Sequence, residues 1–202
     1  MKPRRLLLLA VLLLAGLAAA LAIYARSHGF SARPEPSGVE GFIARRVRTF
    51  AIPPSSRQAS NPVRLNPEVL TEAMEHFADH CATCHGNDGS GSTSIGKGLY
   101  PRPPDMRQAE TQMLTDGEIY WVIHNGVRFT GMPAFGEDKP GVADEDSWKL
   151  VHFIRHLPKI TEEELQAMKR LNPKSNADLE EEKLIRRFLA GEDIPPGATH
   201  GH

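Results

Sequence analysis

Residues 81–85 read Cys81-Ala82-Thr83-Cys84-His85 and contain the only two cysteines of this 202-residue chain. Two cysteines this close together are not the pattern of a structural disulfide framework. A zinc site would need further ligands, and the sequence has no second cysteine pair. A thioredoxin-like redox pair would need a strand before it, whereas the preceding residues predict a helix. The five residues therefore require chemistry of another kind.

The motif C-x-x-C-H is the attachment signal of c-type haem. On a helical turn, the Cys81 and Cys84 thiols can each form a thioether with a haem vinyl group. The next residue, His85, can then direct its imidazole at the iron from the same side. The motif predicts one covalently bound haem c, with His85 as an axial ligand of the iron.

Residues 67–160 resemble a monohaem class I cytochrome c. In that family, the helix that enters the haem motif carries a small residue and an aromatic residue, which here are Ala73 and Phe77. The matching C-terminal helix is the segment 148–154, with apolar residues at helical spacing. The resemblance implies an all-α, class I cytochrome c fold around one covalent haem, in which these two helices cross.

In the same family a methionine thioether usually supplies the second axial ligand of the iron. Residues 125–135 resemble the family's Met-Pro loop and contain Met132 directly before a proline. The resemblance therefore implies that Met132 is an axial ligand together with His85. Met106 and Met113 stay open as alternatives, because their distance from the motif along the sequence allows them too.

The family also has a proline turn, whose backbone carbonyl accepts a hydrogen bond from the proximal imidazole. Residues 101–105 resemble this turn and contain three prolines. The resemblance implies that Pro103 accepts this bond from His85, which would orient the ring and raise its donor strength.

Residues 1–25 predict a signal anchor. Leu6 to Ala25 form an uninterrupted apolar run that follows three basic residues. At 1.5 Å per residue, a twenty-residue helix spans about 30 Å, the thickness of the bilayer hydrocarbon. A cleaved signal peptide is the alternative, because small residues at 18–22 resemble a cleavage site. Either way, the rest of the chain is expected in the bacterial periplasm, tethered by a single-pass helix or soluble after cleavage.

Residues 26–66 predict a linker rich in proline and arginine, with seven arginines against two acidic residues. Within it, Ser37 and Glu40 form a capping-box pattern that predicts a short amphipathic helix ending before Pro53. Packing on the following domain, or fraying in solution, is favoured over a position on the membrane surface. The acidic segment 67–160, with 14 acidic and 8 basic residues, carries a net charge of −6.

Residues 161–202 predict a charged, helical tail. A capping box at Thr161 begins one helix, which stops at Asn172-Pro173. A second helix ends at Gly191 and has an apolar face formed by Leu184, Ile185, Phe188 and Leu189.

Histidine pairs at i,i+4 spacing occur on the two helices that are expected to cross, and two further histidines lie at the C-terminus. They are His76 and His80, His152 and His156, and His200 and His202. We expect exposed helix histidines here rather than a zinc site.

Together these features predict a single-electron carrier on the outer side of the cytoplasmic membrane. Its partners would be redox proteins that donate and accept electrons, and the anchor would hold it in the membrane. We expect no small-molecule substrate, so the chain would be an electron-transfer protein and not itself an enzyme. The near-neutral charge, 24 basic against 25 acidic residues, excludes a strongly basic nucleic-acid binder. The alternative is a haem-bearing subunit of a membrane oxidase or a quinone-dependent dehydrogenase.

Overall fold

A computed structural model describes residues 3–29, 31–136, 144–174, 183–187 and 189–190. Within these ranges the regular elements are helical, which confirms the all-α prediction. The α-helices are α1 (Pro3–His28), α2 (Gly38–Ala51), α3 (Pro54–Arg57), α4 (Pro67–His76), α5 (Ala82–His85), α6 (Ala109–Gln112), α7 (Asp116–Asn125), α8 (Glu145–His156) and α9 (Glu162–Lys169). Short 3₁₀ turns cover Gly96–Gly98 and Leu157–Lys159.

Helix α1 is long and apolar enough to cross a membrane. Its large apolar side chains, from Leu6 to Ile23, are exposed in the isolated chain. A single apolar helix at the N-terminus is compatible with either a membrane anchor or a signal peptide.

Helix α4 continues without interruption into the C-x-x-C-H motif. Asn66 caps its start by accepting a hydrogen bond from the Val69 N–H at 2.8 Å. A single π-helical turn, Phe77–Cys81, then joins α4 to α5. Such turns are rare and occur frequently at functional sites. At the far end of α5, Gly86 takes a φ of 75°, a backbone conformation that favours glycine and ends the helix.

The core lies where α4 and α8 cross. Ala73 is 1% exposed and provides the small surface that lets the helices approach. The Phe77 ring, which follows α4, packs on Phe153 of α8 with centroids 5.0 Å apart. On the other side of α8, Trp148 stacks on Tyr120 of α7 at 4.1 Å. This packing agrees with the crossing that the sequence predicts.

The second half of the linker packs on this core. Asn61 donates a hydrogen bond to the Trp148 carbonyl at 2.9 Å, and the Val63 carbonyl lies 2.8 Å from His152 Nε2. A Cβ added at Gly117 of α7 would lie 1.8 Å from the Ser56 carbonyl oxygen, so only glycine fits this contact. The domain boundary at residue 67 remains a prediction, and these contacts cross it.

The first part of the tail also packs on the cytochrome segment, residues 67–160, which is called the body below. Thr161 caps α9 as its sequence predicts, and Met168 of that helix is fully buried. Beyond α9, Asn172 donates to the Ala78 carbonyl at 2.8 Å, next to the haem motif. Residues 183–187 are helical, as predicted for the second tail helix. Phe188, Gly191, His200 and His202 lie outside the described residues.

Candidate haem site

The two cysteines of the motif are free thiols at the end of the α4–α5 helix. Burial raises the pKa of the Cys81 thiol to about 12, and the nearby Cys84 adds to this effect. Cys81 is therefore a neutral thiol at pH 7. Redox-active cysteines need a lowered pKa, because the thiolate is the nucleophile and the metal ligand. The burial of Cys81 thus gives no sign of the activated thiolate of a thioredoxin-like redox cysteine.

His85 presents a neutral imidazole in a buried position. Its side chain lies 6.5 Å from the Phe77 ring, centroid to centroid, and the residue is 8% exposed. Burial lowers the pKa of His85 to about 4, so the ring is uncharged at pH 7. The Nδ1 atom is buried and has no hydrogen-bond partner within the described residues. An uncharged imidazole with an uncommitted ring nitrogen is the form of histidine that binds metal.

The hydrogen bond expected between His85 and Pro103 is not formed in this structure, because Nδ1 has no partner. The Pro103 carbonyl lies instead against Gly91, where an added Cβ would approach its oxygen to 2.4 Å. Gly91 is itself held by a hydrogen bond from its N–H to the His85 carbonyl at 2.7 Å. The proline turn therefore contacts the motif through Gly91, and the role of Pro103 as an acceptor remains a prediction.

The glycine-rich loop after the motif packs directly on the cysteine turn. A Cβ at Gly96 would lie 2.5 Å from the Cys84 carbonyl oxygen, so the loop can approach this closely only with glycine. Thr93 donates a hydrogen bond to the same carbonyl at 3.2 Å. Further along the same segment, Ile95 and Tyr100 are 49% and 39% exposed.

Met132 lies in a tightly closed loop after α7. Its carbonyl accepts a hydrogen bond from the Val127 N–H, and its N–H donates to Thr130 Oγ1, both at 3.1 Å. Gly126 opens the loop at φ 65°, where a Cβ would clash with the backbone of Pro133. The backbone on both sides of Met132 is therefore fixed.

Leu99 connects the Met132 loop to the cysteine motif. Its side chain packs against Gly131, at 2.6 Å from the position of an added Cβ, and it follows the segment that contacts Cys84. The glycine-rich segment thus contacts Cys84 through Gly96 and the Met132 loop through Leu99.

A family model described as cytochrome c oxidase, cbb3-type, subunit III matches residues 68–154. These residues extend from α4 to α8 and include the C-x-x-C-H motif and Met132. The chain contains a c-type cytochrome domain. Its cofactor is haem c, and its function class is haem-based electron transfer. No curated protein matches the chain.

The other candidate methionines of the cytochrome domain lie in different surroundings. Met106 is 7% exposed and belongs to the hydrophobic core, and its N–H donates to the Gly89 carbonyl at 2.8 Å. Met113 follows α6 and is 79% exposed. Of the three, Met106 fills the core, Met113 faces solvent, and Met132 is half-buried in the loop that contacts Leu99.

The histidines of the cytochrome domain outside the motif have contacts of their own. His124 Nδ1 lies 2.8 Å from Asp144 Oδ2, and His156 Nε2 lies 2.8 Å from Glu164 Oε1. The rings of His76 and His80 lie next to each other, with centroids 4.8 Å apart. In the described part of the chain, no group of three or more histidine, cysteine or acidic residues is placed to hold a metal ion.

The residues of the site fit a c-type haem. Two thiols are available at the required spacing, and the adjacent imidazole is neutral with an uncommitted nitrogen. The glycine-rich loop that packs on Cys84 also carries the exposed apolar side chain of Ile95. The π turn and the Gly91–Pro103 contact were missed by sequence reasoning, and no local signal would have revealed either.

Proposed function

We propose that this chain transfers single electrons through one haem c, attached at Cys81 and Cys84 and ligated by His85 and Met132. The observation that carries this proposal is the buried, neutral imidazole of His85, directly after two free thiols at the end of a core helix. The chain has one C-x-x-C-H motif, which supports a single haem. When bound, the haem supplies reversible one-electron exchange between Fe(II) and Fe(III).

The protein's own packing would hold His85 and Met132 in place as iron ligands. The crossing of α4 and α8 fixes the helix that carries His85, since Phe77 packs on Phe153 within it. The hydrogen bonds within the Met132 loop would hold the backbone of the proposed thioether ligand. Methionine–histidine ligation raises the reduction potential, because the thioether favours the ferrous state. Two protein ligands also leave no iron position for a substrate.

The haem domain is assigned to the periplasmic side of the cytoplasmic membrane. Support comes from α1, which has the length and apolarity of a membrane span, and from the C-x-x-C-H motif, because c-type haem is attached outside the cytoplasm. An uncleaved α1 would keep the carrier in the membrane with its redox partners.

A second candidate function is that of a haem-bearing subunit in a membrane oxidase. The description of the matching family, subunit III of a cbb3-type cytochrome c oxidase, favours this assignment over a quinone-dependent dehydrogenase. Purification from membranes in mild detergent separates the two functions. A permanent subunit co-purifies with its oxidase at a fixed ratio, whereas a free carrier is recovered without it.

Covalent haem attachment provides the test of the proposed function. The full chain, made in cells that mature c-type cytochromes, should keep its haem in acid acetone and gain the mass of one haem. Cys81→Ser and Cys84→Ser should each leave at most one thioether and greatly reduce the yield of mature protein. A wild-type chain that loses all its haem in acid acetone would refute the proposal.

A further inference from the structure

Helix α2 exposes a continuous apolar stripe. Its five large apolar side chains recur at the spacing of one helix face. Between 53% and 88% of their surface is exposed, and they are Val39, Phe42, Ile43, Val47 and Phe50. No residue of α2, which the structure describes in full, is buried. An apolar surface of this size on a single helix marks an interaction site.

The polar side of α2 is the side that contacts the haem domain. Arg48 is half-buried, and burial lowers the pKa of its guanidinium. The Thr49 carbonyl accepts a hydrogen bond from Arg57, and the Glu40 carboxylate accepts one from the Tyr100 hydroxyl at 2.9 Å. These contacts attach α2 to the body through its polar residues, so the apolar stripe faces away from the body.

The distance between α2 and α1 is limited by a short connection. Helix α1 ends at His28 and α2 begins at Gly38, which leaves the nine residues 29–37 between them. At about 3.3 Å per extended residue, this connection spans at most about 30 Å. With α1 in a membrane, the stripe therefore stays near the surface of that membrane.

The acidic residues around α2 face the haem domain, and an arginine lies on the apolar stripe. Both acidic residues of the linker bond to the haem domain, Glu35 to Arg102 at 2.6 Å and Glu40 to Tyr100. The Arg46 guanidinium lies over the Phe42 ring, 5.1 Å from its centroid, at the centre of the apolar stripe. Arginine stems can lie along apolar surface while their charged ends reach polar groups.

We propose that α2 is an interfacial helix that lies on the lipid surface beside α1. The apolar stripe enters the boundary between head groups and acyl chains, and Arg46, which lies over Phe42, reaches anionic head groups. Because its polar side is attached to the cytochrome domain, α2 holds that domain against the membrane. This inference depends on α1 remaining in the membrane and is independent of the iron ligands.

Spin labels on the full chain in nanodiscs test this position. The nanodiscs contain phosphatidylglycerol and phosphatidylcholine, and the label is attached to Ile43→Cys. The matched control is Ile185→Cys, because Ile43 and Ile185 are 54% and 52% exposed. Unmutated protein gives the background, since thioether sulfurs do not react with the label. The measurement is collision of the label with oxygen and with a water-soluble nickel chelate.

The label at residue 43 should be severalfold more accessible to oxygen and less accessible to nickel than the label at residue 185. Equal accessibility to nickel at the two positions would overturn the proposal. Shielding of residue 43 from both reagents would also overturn it, because a protein surface would then cover the stripe. The variant Arg46→Gln should reduce the shielding of residue 43 from nickel in anionic nanodiscs more than in purely zwitterionic ones.

The haem absorption spectrum of each labelled sample separates this inference from the proposed function. A chain with intact haem bands and a water-exposed label at residue 43 would contradict the interfacial helix alone. An unmutated chain that carries no covalent haem would contradict the proposed function alone.

Discussion

Helices α8 and α2 are both amphipathic, yet only α8 buries its apolar stripe. The Phe153 ring of α8 is 0% exposed, whereas the Phe50 ring of α2 is 88% exposed. An amphipathic pattern states that one face needs apolar surroundings, but it does not state what supplies them. The apolar stripe of α8 packs on α4 of the same chain, and we propose that the stripe of α2 packs on the lipid surface.

The largest loss of stability is expected from truncating Phe153, the buried phenylalanine of the two. Phe153→Ala removes the ring that packs on Phe77 at 5.0 Å and leaves a cavity between α4 and α8. We expect the free energy of unfolding to fall by about 3 to 5 kcal/mol. Urea unfolding of the full chain in detergent, followed by circular dichroism, measures this change.

Phe50→Ala is the matched control for that substitution, because it removes the same ring from an exposed position. We expect it to change the free energy of unfolding by less than about 0.5 kcal/mol. A loss as large as that of Phe153→Ala would show that α2 packs by its apolar face within the chain, and the contrast between the two helices would be wrong.

An intermediate loss of stability is expected where the linker packs on α7. Gly117→Ala would place a Cβ 1.8 Å from the Ser56 carbonyl oxygen, so the linker must move away from α7. We expect a loss of about 1 to 3 kcal/mol, and faster hydrogen exchange over residues 52–63. Hydrogen exchange with mass spectrometry locates the change.

Gly98→Ala provides the control for the junction, because an added Cβ at Gly98 meets nothing within 4 Å. Unchanged exchange over residues 52–63 in Gly117→Ala would show that the linker does not depend on this contact for its place on the body.

The smallest effect is expected from an exposed ion pair. Arg107 donates to Asp105 and lowers the pKa of that carboxyl to about 2. Because the folded pKa is depressed, the stabilisation is present above about pH 4 and disappears as the pH falls towards 2. Arg107→Gln should lower stability at pH 7 by less than about 1 kcal/mol, since both side chains are partly solvated. Urea unfolding at several pH values checks this. A difference that stays constant down to pH 2 would contradict the assignment.

The features that sequence predicted correctly depend on local patterns. The capping boxes at Ser37 and Thr161 begin α2 and α9, because each box involves residues only three positions apart. The small and aromatic positions Ala73 and Phe77 are both buried where α4 meets α8, since helical spacing already places them on one face.

The features that sequence did not predict depend on contacts between distant segments. Met168 lies in a charged stretch, yet the body buries it completely. Gly117 needs its small size because of Ser56, which lies 61 positions earlier in the chain. The direction of the α2 stripe likewise follows from contacts with Tyr100 and Arg57, which the periodicity of α2 alone does not contain.

The central claim, a haem c ligated by His85 and Met132, is tested most directly by near-infrared absorption of the oxidised full chain. The account predicts a weak sulfur-to-iron charge-transfer band that disappears in Met132→Ala. The band should persist in Met113→Ala, the control at a side chain that is 79% exposed. A band that survives Met132→Ala, or that is lost in Met113→Ala instead, would contradict the assignment of Met132 as the axial ligand.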